Sequence, residues 1–306
     1  MTSDDALPTM GSVTDRNPTR LRDDVDAAEA AARAAALAAG VTIRELTELP
    51  DLEAVSRLFE GIWGRDAHPP MTTELLRALA KAGNYVVGAF DGGTLVGACA
   101  GFFSAPAQGT LHSHIAGVSS QVRGRSVGFA VKVHQRAWAL HRDVPLIGWT
   151  FDPLVRRNAW FNLGKLAAAP VEYLPNFYGG MHDGINGDDD SDRLLVHWDL
   201  RSASVAEACR GRVPRVDAAA ELAAGAVVAL GATPLGTPQP GSLDGAVSLV
   251  AVPPDIEGLR TADPGLAKEW RVAVREALVP LLASGASITG FDRSGWFVVQ
   301  RQEGIA

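Results

Sequence analysis

Residues 121–130 join a strand-like run to an amphipathic helix through a turn rich in glycine and arginine. Apolar residues alternate before this segment, and after it they recur at helical spacing, so a helix is predicted to start near Ser126. The first backbone amides of a helix have no intrahelical acceptors, and the helix end carries a partial positive charge. The segment therefore predicts an anion site at residues 123–129, held largely by backbone.

The periodicity of the surrounding sequence predicts a core over residues 41–200, with elements in the order β-α-α-β-β-β-α-β-α-β-β. An alanine-rich helix is predicted before it at residues 22–40, and the polar residues 1–21 are predicted to form a flexible tail. The predicted bounds are 41–46, 85–90, 94–103, 111–119, 146–151, 171–178 and 194–200 for strands, and 52–63, 72–82 and 154–166 for the other helices.

Beyond the core, a weaker pattern predicts a smaller α+β subdomain over residues 201–306. Its predicted elements are strands at 247–252, 286–291 and 296–300 and a helix at 268–282. Pro280 should end or kink that helix. One side of the helix is apolar and consists of Trp270, Val274, Leu278 and Leu281. We expect this side to pack on the core or on a partner chain, because it is too apolar to be left in water.

Composition and charge exclude several classes of protein. The formal net charge of -7 argues against a nucleic-acid partner, and the sequence shows no basic patch. Cys99 and Cys209 cannot build a disulfide framework or a four-cysteine zinc site. No signal peptide and no bilayer-spanning run is found, so we expect a cytoplasmic protein with no membrane partner. The oligomeric state stays open, a homodimer included.

The hexapeptide Arg123-Gly124-Arg125-Ser126-Val127-Gly128 resembles the acyl-CoA pyrophosphate loop of the GCN5-related N-acetyltransferase (GNAT) family, whose pattern is Gln/Arg-x-x-Gly-x-Gly/Ala. Ser126 stands where the family usually has glycine, which narrows the allowed dihedrals. The element order over residues 41–200 is also similar to that of the family. The resemblance implies an α+β fold with a GNAT-like mixed, splayed sheet, and acetyl-CoA or another short acyl-CoA as co-substrate, without a metal. The alternative is a glycine-rich turn on an unrelated α/β domain.

In this family the fourth strand carries a bulge and splays away from the fifth, and the thioester enters the notch between them. By resemblance, backbone groups of Ala116 and Val118 face the pantetheine arm and the acyl carbonyl. Asn158 could hydrogen-bond the same arm, or it could satisfy backbone near a helix start. The residues that would face the pyrophosphate are Arg123, Gly124, Arg125, Ser126, Val127, Gly128 and Phe129.

Further segments are similar to signatures of a bacterial subgroup of the family that is described as predicted acyltransferases. These are residues 149–154, 157–163, 176–179 and 192–194 with Trp198. The subgroup leaves the acceptor open, and we expect a small primary amine, with an amino acid as first choice. A dinucleotide site is not expected, because Gly-x-Gly-x-x-Gly is absent at the turn.

Acylation of an amine needs a base for the ammonium proton and an acid for the leaving thiolate. His112 and His114 lie two residues apart in a predicted strand, so both project from one face, and imidazole titrates near neutrality. They stand where arylalkylamine N-acetyltransferases carry a His-x-His pair that relays protons. They could equally be hydrogen-bonded core or edge residues, and a bulge between them would separate their faces. Zinc is not expected, because a further ligand at suitable spacing is lacking.

The acid is harder to assign. The family often places a tyrosine on the helix after the fifth strand, but residues 161–164 contain none. Tyr178 could reach the notch from the sixth strand, or it could be a packing residue. Asp152 could bind an acceptor ammonium or cap the following helix, and capping is favoured. The acidic run at residues 188–192 lacks the glycine and glutamate of a calcium loop, so it is predicted to be a solvated turn.

The candidate catalytic residues are therefore His114, His112 and Tyr178. Together with the turn they predict an acyl-CoA-dependent N-acyltransferase that moves an acetyl or short acyl group from CoA to a small primary amine. Two alternatives stay open. One is a non-catalytic acyl-CoA-binding or regulatory protein, and the other is hydrolysis or decarboxylation of acyl-CoA on the same fold.

Overall fold

The computed structural model describes residues 18–64, 70–179 and 189–301. In chain order, the elements of the first part are α1 (Pro18–Ala39), β1 (Thr42–Glu45), α2 (Leu49–Trp63), α3 (Thr73–Lys81), β2 (Tyr85–Asp91), β3 (Thr94–Phe103), β4 (Thr110–Val118), α4 (Val127–Leu140), β5 (Leu146–Phe151), α5 (Arg156–Ala159), β6 (Ala169–Leu174) and β7 (Arg193–Asp199). Short 3-10 turns lie at Pro106–Gln108 and Ser120–Val122, and a π-helical turn, Trp160–Lys165, continues α5.

The strands form one sheet in the order β1-β2-β3-β4-β5-β7-β6. Neighbouring strands are antiparallel except β4 and β5, which are parallel. Successive side chains of a strand point to opposite faces. Accordingly, Val87 and Cys99 share a core with α1 and α4, whereas Val86 and Ala98 share one with α2 and α3. This mixed sheet between two helical layers confirms the predicted α+β fold class.

The second part contains a five-stranded sheet in the order β11-β12-β10-β8-β9. Its elements are α6 (Ala203–Cys209), α7 (Ala218–Ala223), β8 (Val227–Ala232), β9 (Pro238–Pro240), β10 (Val247–Ala251), α8 (Ile256–Ala262), α9 (Pro264–Ala283), β11 (Ala286–Asp292) and β12 (Trp296–Arg301). The apolar side of α9 is at most 1% exposed and lies in the same hydrophobic cluster as residues of β5 and α4. The expectation that it packs on the core is confirmed.

A buried ion-pair group joins the two parts. Asp152 follows β5, and its Oδ1 accepts a hydrogen bond from the Leu154 amide at 2.9 Å, which closes a turn before α5. The N-cap of α5 is Val155, so the predicted capping of the following helix by Asp152 is wrong. The same carboxylate receives two bonds from Arg271 of α9, at 2.8 and 2.9 Å, and one from Arg260 of α8 at 2.6 Å. Asp152 therefore holds the second part against β5, and the structure contradicts a role in binding an acceptor ammonium.

The acidic run is also different from the prediction. Asp189 and Asp192 are buried, and each forms an ion pair with an arginine of α9: Arg271 at 2.8 Å and Arg275 at 2.6 Å. The solvated turn predicted at residues 188–192 is therefore wrong for Asp189, Ser191 and Asp192, whereas Asp190 is exposed and residue 188 lies outside the described residues. The carboxylates are buried because α9 supplies matching charges.

Smaller differences concern the ends of elements. Helix α1 begins at Pro18 instead of residue 22, and the rest of the predicted tail, residues 1–17, lies outside the described residues. Strand β6 ends at Leu174, so Tyr178 lies in the turn that follows. Helix α9 continues for one turn past Pro280, because a proline in the last turn removes only one hydrogen bond there. Within the described residues, every helix is too short or too polar to cross a bilayer.

Candidate active site

A notch opens where β4 and β5 separate. The two strands pair only from Thr110 with Leu146 to His112 with Gly148, and they diverge beyond this point. His114 is an extra residue in β4, since Ser113 and Ile115 oppose adjacent residues of β3. Such a bulge bends a strand and increases its twist. The bulge and splay implied by the resemblance are therefore present in this chain.

The notch contains a cavity of about 220 Å³. Its walls come from β4, α4, β5 and the helical segment after β5. The lining side chains and backbone include Ser113, His114, Ala116, Val118, Gly128, Val131, Lys132, Trp149, Thr150, Phe151, Asn158, Phe161 and Asn162. Three residues predicted to contact the pantetheine arm, Ala116, Val118 and Asn158, thus lie around one space with His114.

The turn at one end of the cavity presents free backbone donors. Gly124 has φ 87° and Ser126 has φ 60°, and α4 begins at the next residue, Val127. In the part of the chain that the structure describes, the amides of Gly124 and of residues 126–129 donate no hydrogen bond. Adding a Cβ at Gly128 would bring it no closer than 3.6 Å to Val118, so the glycine leaves open space above the helix end. Amides arranged in this way suit a phosphate.

Arg125 has a different place from the one predicted for it. Its guanidinium pairs with Asp91 at 2.5 Å and donates to the carbonyls of Ala39 and Gly40 at the end of α1. Its backbone amide is also occupied, because it donates to the Val122 carbonyl at 3.2 Å. Arg125 therefore anchors the turn to α1 and β2, and the structure does not support a phosphate contact from it. Arg123 is exposed.

The two histidines lie together on the face of β4 opposite α4. Their ring centroids are 6.0 Å apart, and the ring of Phe102 lies 5.1 Å from His112 and 5.7 Å from His114. The bulge does not separate them, since His114 is itself the bulged residue. Partial burial lowers the pKa of both histidines, and repulsion from His114 and Lys132 adds to the effect on His112. The lowered pKa values favour the neutral form of both imidazoles at pH 7.

Tyr178 reaches only the edge of the cavity. Its hydroxyl lies 3.0 Å from Thr150 Oγ1, and Thr150 lines the cavity wall. The Tyr178 side chain is 45% exposed and packs edge-on against Phe177. It can contact a ligand at the mouth of the notch.

Lys132 is a cavity residue that the sequence patterns did not point to. It is 4% exposed, and its Nζ donates to Ser113 Oγ at 3.1 Å and to Gln135 Oε1 at 2.7 Å. The ammonium also lies 3.6 Å from the centroid of the Trp149 ring. Burial lowers the pKa of Lys132 to about 8. The available signal was a lysine between Val131 and Val133, but the next residues of α4, His134, Gln135 and Arg136, are polar as well.

Trp149 and Asn162 complete the floor. The indole Nε1 donates to Asn162 Oδ1 at 3.0 Å, which fixes the ring over Lys132. Both residues lie within segments that carry the resemblance, but neither was predicted as a site residue. In the described residues, no group of three or more His, Cys, Asp and Glu side chains could hold a metal ion.

The chain is structurally similar to N-acetyltransferases. An N-acetyltransferase from Staphylococcus aureus shares 15% identity, with a TM-score of 0.42 over 53% of this chain and 99% of that one. The ribosomal-protein-S18-alanine N-acetyltransferase from Escherichia coli has 15% identity and a TM-score of 0.43, over 53% of this chain and 96% of its own. For yncA from Salmonella typhimurium, solved with its cofactor acetyl-CoA, the values are 15% and 0.43, over 54% and 98%. No protein-family model and no curated protein matches the sequence.

Proposed function

We propose that the chain is an acyl-CoA-dependent N-acyltransferase that moves an acetyl or short acyl group to a small primary amine, with an amino acid as the first choice. One observation carries this proposal. A single cavity between β4 and β5 runs from the free amides near Gly128 to His114. A thioester bound through its pyrophosphate at the turn would place its acyl group between the splayed strands.

The position of each residue around the cavity assigns it a role. The amides of Gly124 and residues 126–129 hold the pyrophosphate, and the backbone of Ala116 and Val118, with Asn158, lines the path of the pantetheine arm. Neutral His114 takes the proton of the acceptor ammonium, and His112 passes it outward. The amine nitrogen then forms a bond to the thioester carbon and gives up its second proton, the carbon–sulfur bond breaks, and the thiolate of CoA takes up a proton, so that the products are an amide and the free thiol.

The leaving thiolate needs a positive or proton-donating neighbour. Burial lowers the pKa of Lys132 to about 8, so the ammonium form is favoured at pH 7, and Lys132 lies in the cavity wall. Tyr178 touches that wall only through Thr150. A fixed cation in a site of low dielectric stabilises a developing anion much more than it would in water. We therefore assign stabilisation of the thiolate to Lys132, in place of the tyrosine that the family often uses, and leave Tyr178 as the proton donor at the mouth.

Thiol release from acetyl-CoA in the presence of a panel of amino acids, polyamines and peptides tests the proposal, with products identified by mass. Thiol release that requires an amine, with an acylated amine as product, is expected. Release without any amine, with a free acid as product, would indicate a hydrolase. Binding of acetyl-CoA with no release under any condition would indicate a non-catalytic acyl-CoA-binding protein.

A glycine pair tests the turn. Gly128→Val should abolish the thermal stabilisation that CoA thioesters give to the wild type, because the side chain fills the space over the free amides. Gly61→Val is the matched control, since Gly61 is also helical and a Cβ there meets nothing within 4 Å. An unchanged shift in Gly128→Val would show that the turn is not the pyrophosphate site.

A further inference from the structure

A second cavity of about 270 Å³ lies where the two parts of the chain meet. The first part contributes Arg156, Arg157 and Trp160, from α5 and the π-helical turn. The second part contributes Glu257 of α8 and Arg293, which lies in the turn between β11 and β12. The cavity therefore exists only because residues 201–301 pack on the core.

The charges around this cavity are not balanced by its own carboxylates. Glu257 forms an ion pair with Arg157, whose Nη2 donates to Glu257 Oε1 at 2.7 Å. Asp255 caps α8, because its side chain accepts a hydrogen bond from the Gly258 amide at 3.0 Å. Arg156 and Arg293 form no ion pair with any carboxylate in the described ranges 18–64, 70–179 and 189–301.

Arg156 also has an unused donor. Its Nη2 donates to the Val252 carbonyl at 3.1 Å, but its Nε is buried and has no acceptor among the described residues. The guanidinium of Arg293 lies 4.9 Å from the centroid of the half-buried Trp160 ring and is itself exposed. The cavity thus combines a flat aromatic surface with two cations that form no ion pair among the described residues.

Basic side chains connect this cavity to the turn of the candidate active site. Lys165 Nζ donates to Ser126 Oγ at 3.1 Å. Burial and repulsion from Arg293 lower the pKa of Lys165, and burial and repulsion from Arg123 lower the pKa of Arg157. Lys165 belongs to the same π-helical turn as Trp160, so it places positive charge between the turn at residues 123–129 and the second cavity. A ligand whose pyrophosphate lies on the turn therefore meets further positive charge toward the second cavity.

We propose that the second cavity binds the adenosine 3′-phosphate end of CoA, with the adenine against Trp160 and the 3′-phosphate between Arg156 and Arg293. The inference rests on the proposed use of acyl-CoA and gives residues 201–301 a part in binding that co-substrate. Stacking on an aromatic ring suits any nucleobase. Guanidinium groups suit a phosphate because they offer several donors in a planar fork.

Dephospho-CoA, which differs from CoA only at the 3′-phosphate, isolates this contact. Calorimetric titration of the full chain should show CoA binding about tenfold or more tightly than dephospho-CoA, the effect of one hydrogen-bonded ion pair. Arg293→Gln should weaken CoA about tenfold and leave dephospho-CoA unchanged, because the side chain is exposed and its loss does not disturb the core. Arg57→Gln, an exposed arginine on α2, should change neither.

A second ligand tests the subsite without the pantetheine arm of CoA. Adenosine 3′,5′-bisphosphate should bind the wild type in competition with CoA, and it should bind Arg293→Gln about tenfold more weakly. Equal affinity of the wild type for CoA and dephospho-CoA would overturn this subsite while the proposed acyl transfer stands. Equal weakening of both ligands by Arg293→Gln would also overturn it. If neither CoA nor dephospho-CoA binds the wild type, the proposed function fails together with the subsite.

Discussion

Replacing Arg271 by methionine should destabilise the protein by about 3 kcal/mol. The guanidinium is 1% exposed and binds both Asp152 and Asp189, so its loss leaves two buried carboxylates short of a partner. Breaking a buried ion pair from one side costs roughly 3–5 kcal/mol. The lower end applies here because Arg260 still contacts both carboxylates, at 2.6 and 3.2 Å.

Thermal melting measures this loss. For a chain of this size 1 kcal/mol corresponds to about 2 °C, so the Tm should fall by about 6 °C. Arg210→Met provides the surface control, since its pair with Glu207 is well exposed and such pairs contribute about 1 kcal/mol or less. A Tm for Arg271→Met equal to or above that of the wild type would refute the view that the arginine compensates these carboxylates.

The same variant should change the acid dependence of stability. Burial raises the pKa of Asp152, but Arg271 and Arg260 more than offset burial and hold the pKa below its usual value of 3.8. A depressed pKa in the folded state contributes stability that is complete well above pH 3.8 and is lost as the pH falls below it. Denaturant unfolding between pH 5 and 3 should therefore show a smaller slope in Arg271→Met than in the wild type. Equal slopes would contradict the ion pair.

Three further predictions concern the turn and the cavity. His114→Ala should lower turnover about a hundredfold at neutral pH with little change in acetyl-CoA affinity, and the wild-type acid limb should lie below pH 6.5 because burial lowers the pKa of His114. If His114→Ala turned over at the wild-type rate at every pH, His114 would not be the base. The buried amine of Lys132 loses its proton near pH 8, before the unfolded chain does near 10.5, so stability should rise across that range in the wild type and not in Lys132→Met, as measured by denaturant unfolding. Ser126→Gly should raise the Tm through relief of about 1 kcal/mol of left-handed strain, and a lower Tm would show that the bond to Lys165 outweighs the strain.

Local patterns predicted the first sheet well. Strand β5 has the predicted bounds, and the hairpin of β2 and β3 closes at Asp91-Gly92-Gly93 as turn chemistry requires. The turn at residues 123–129 could be predicted because helix start and glycine spacing are local properties. Arg125 was misplaced because a motif cannot show that Asp91 and the end of α1 lie beside it.

Long-range pairing explains why the burial of the acidic run and the role of Lys132 were not predicted. The carboxylate of Asp192 is buried by Arg275, which follows it 83 residues later, and a window of sequence around an acidic run contains no trace of that partner. The partners of Lys132 are likewise distant from it in the sequence. Its neighbours Ser113 and Trp149 come from two different strands, β4 and β5. Periodicity alone would place an exposed lysine there.

Synthesis of the chain imposes an order on these contacts. Asp152 and Arg271 are 119 residues apart, so at 5–20 residues per second roughly 6–24 s pass between the two during translation. Throughout that interval Asp152, at the end of β5, lacks Arg260 and Arg271. The apolar surface that α9 later covers is exposed to solvent and to other nascent chains. Closure of the cavity wall is therefore a late event in the synthesis of each molecule, and ribosome-stalled chains that stop before α8 should be held by chaperones although the turn at residues 123–129 is complete.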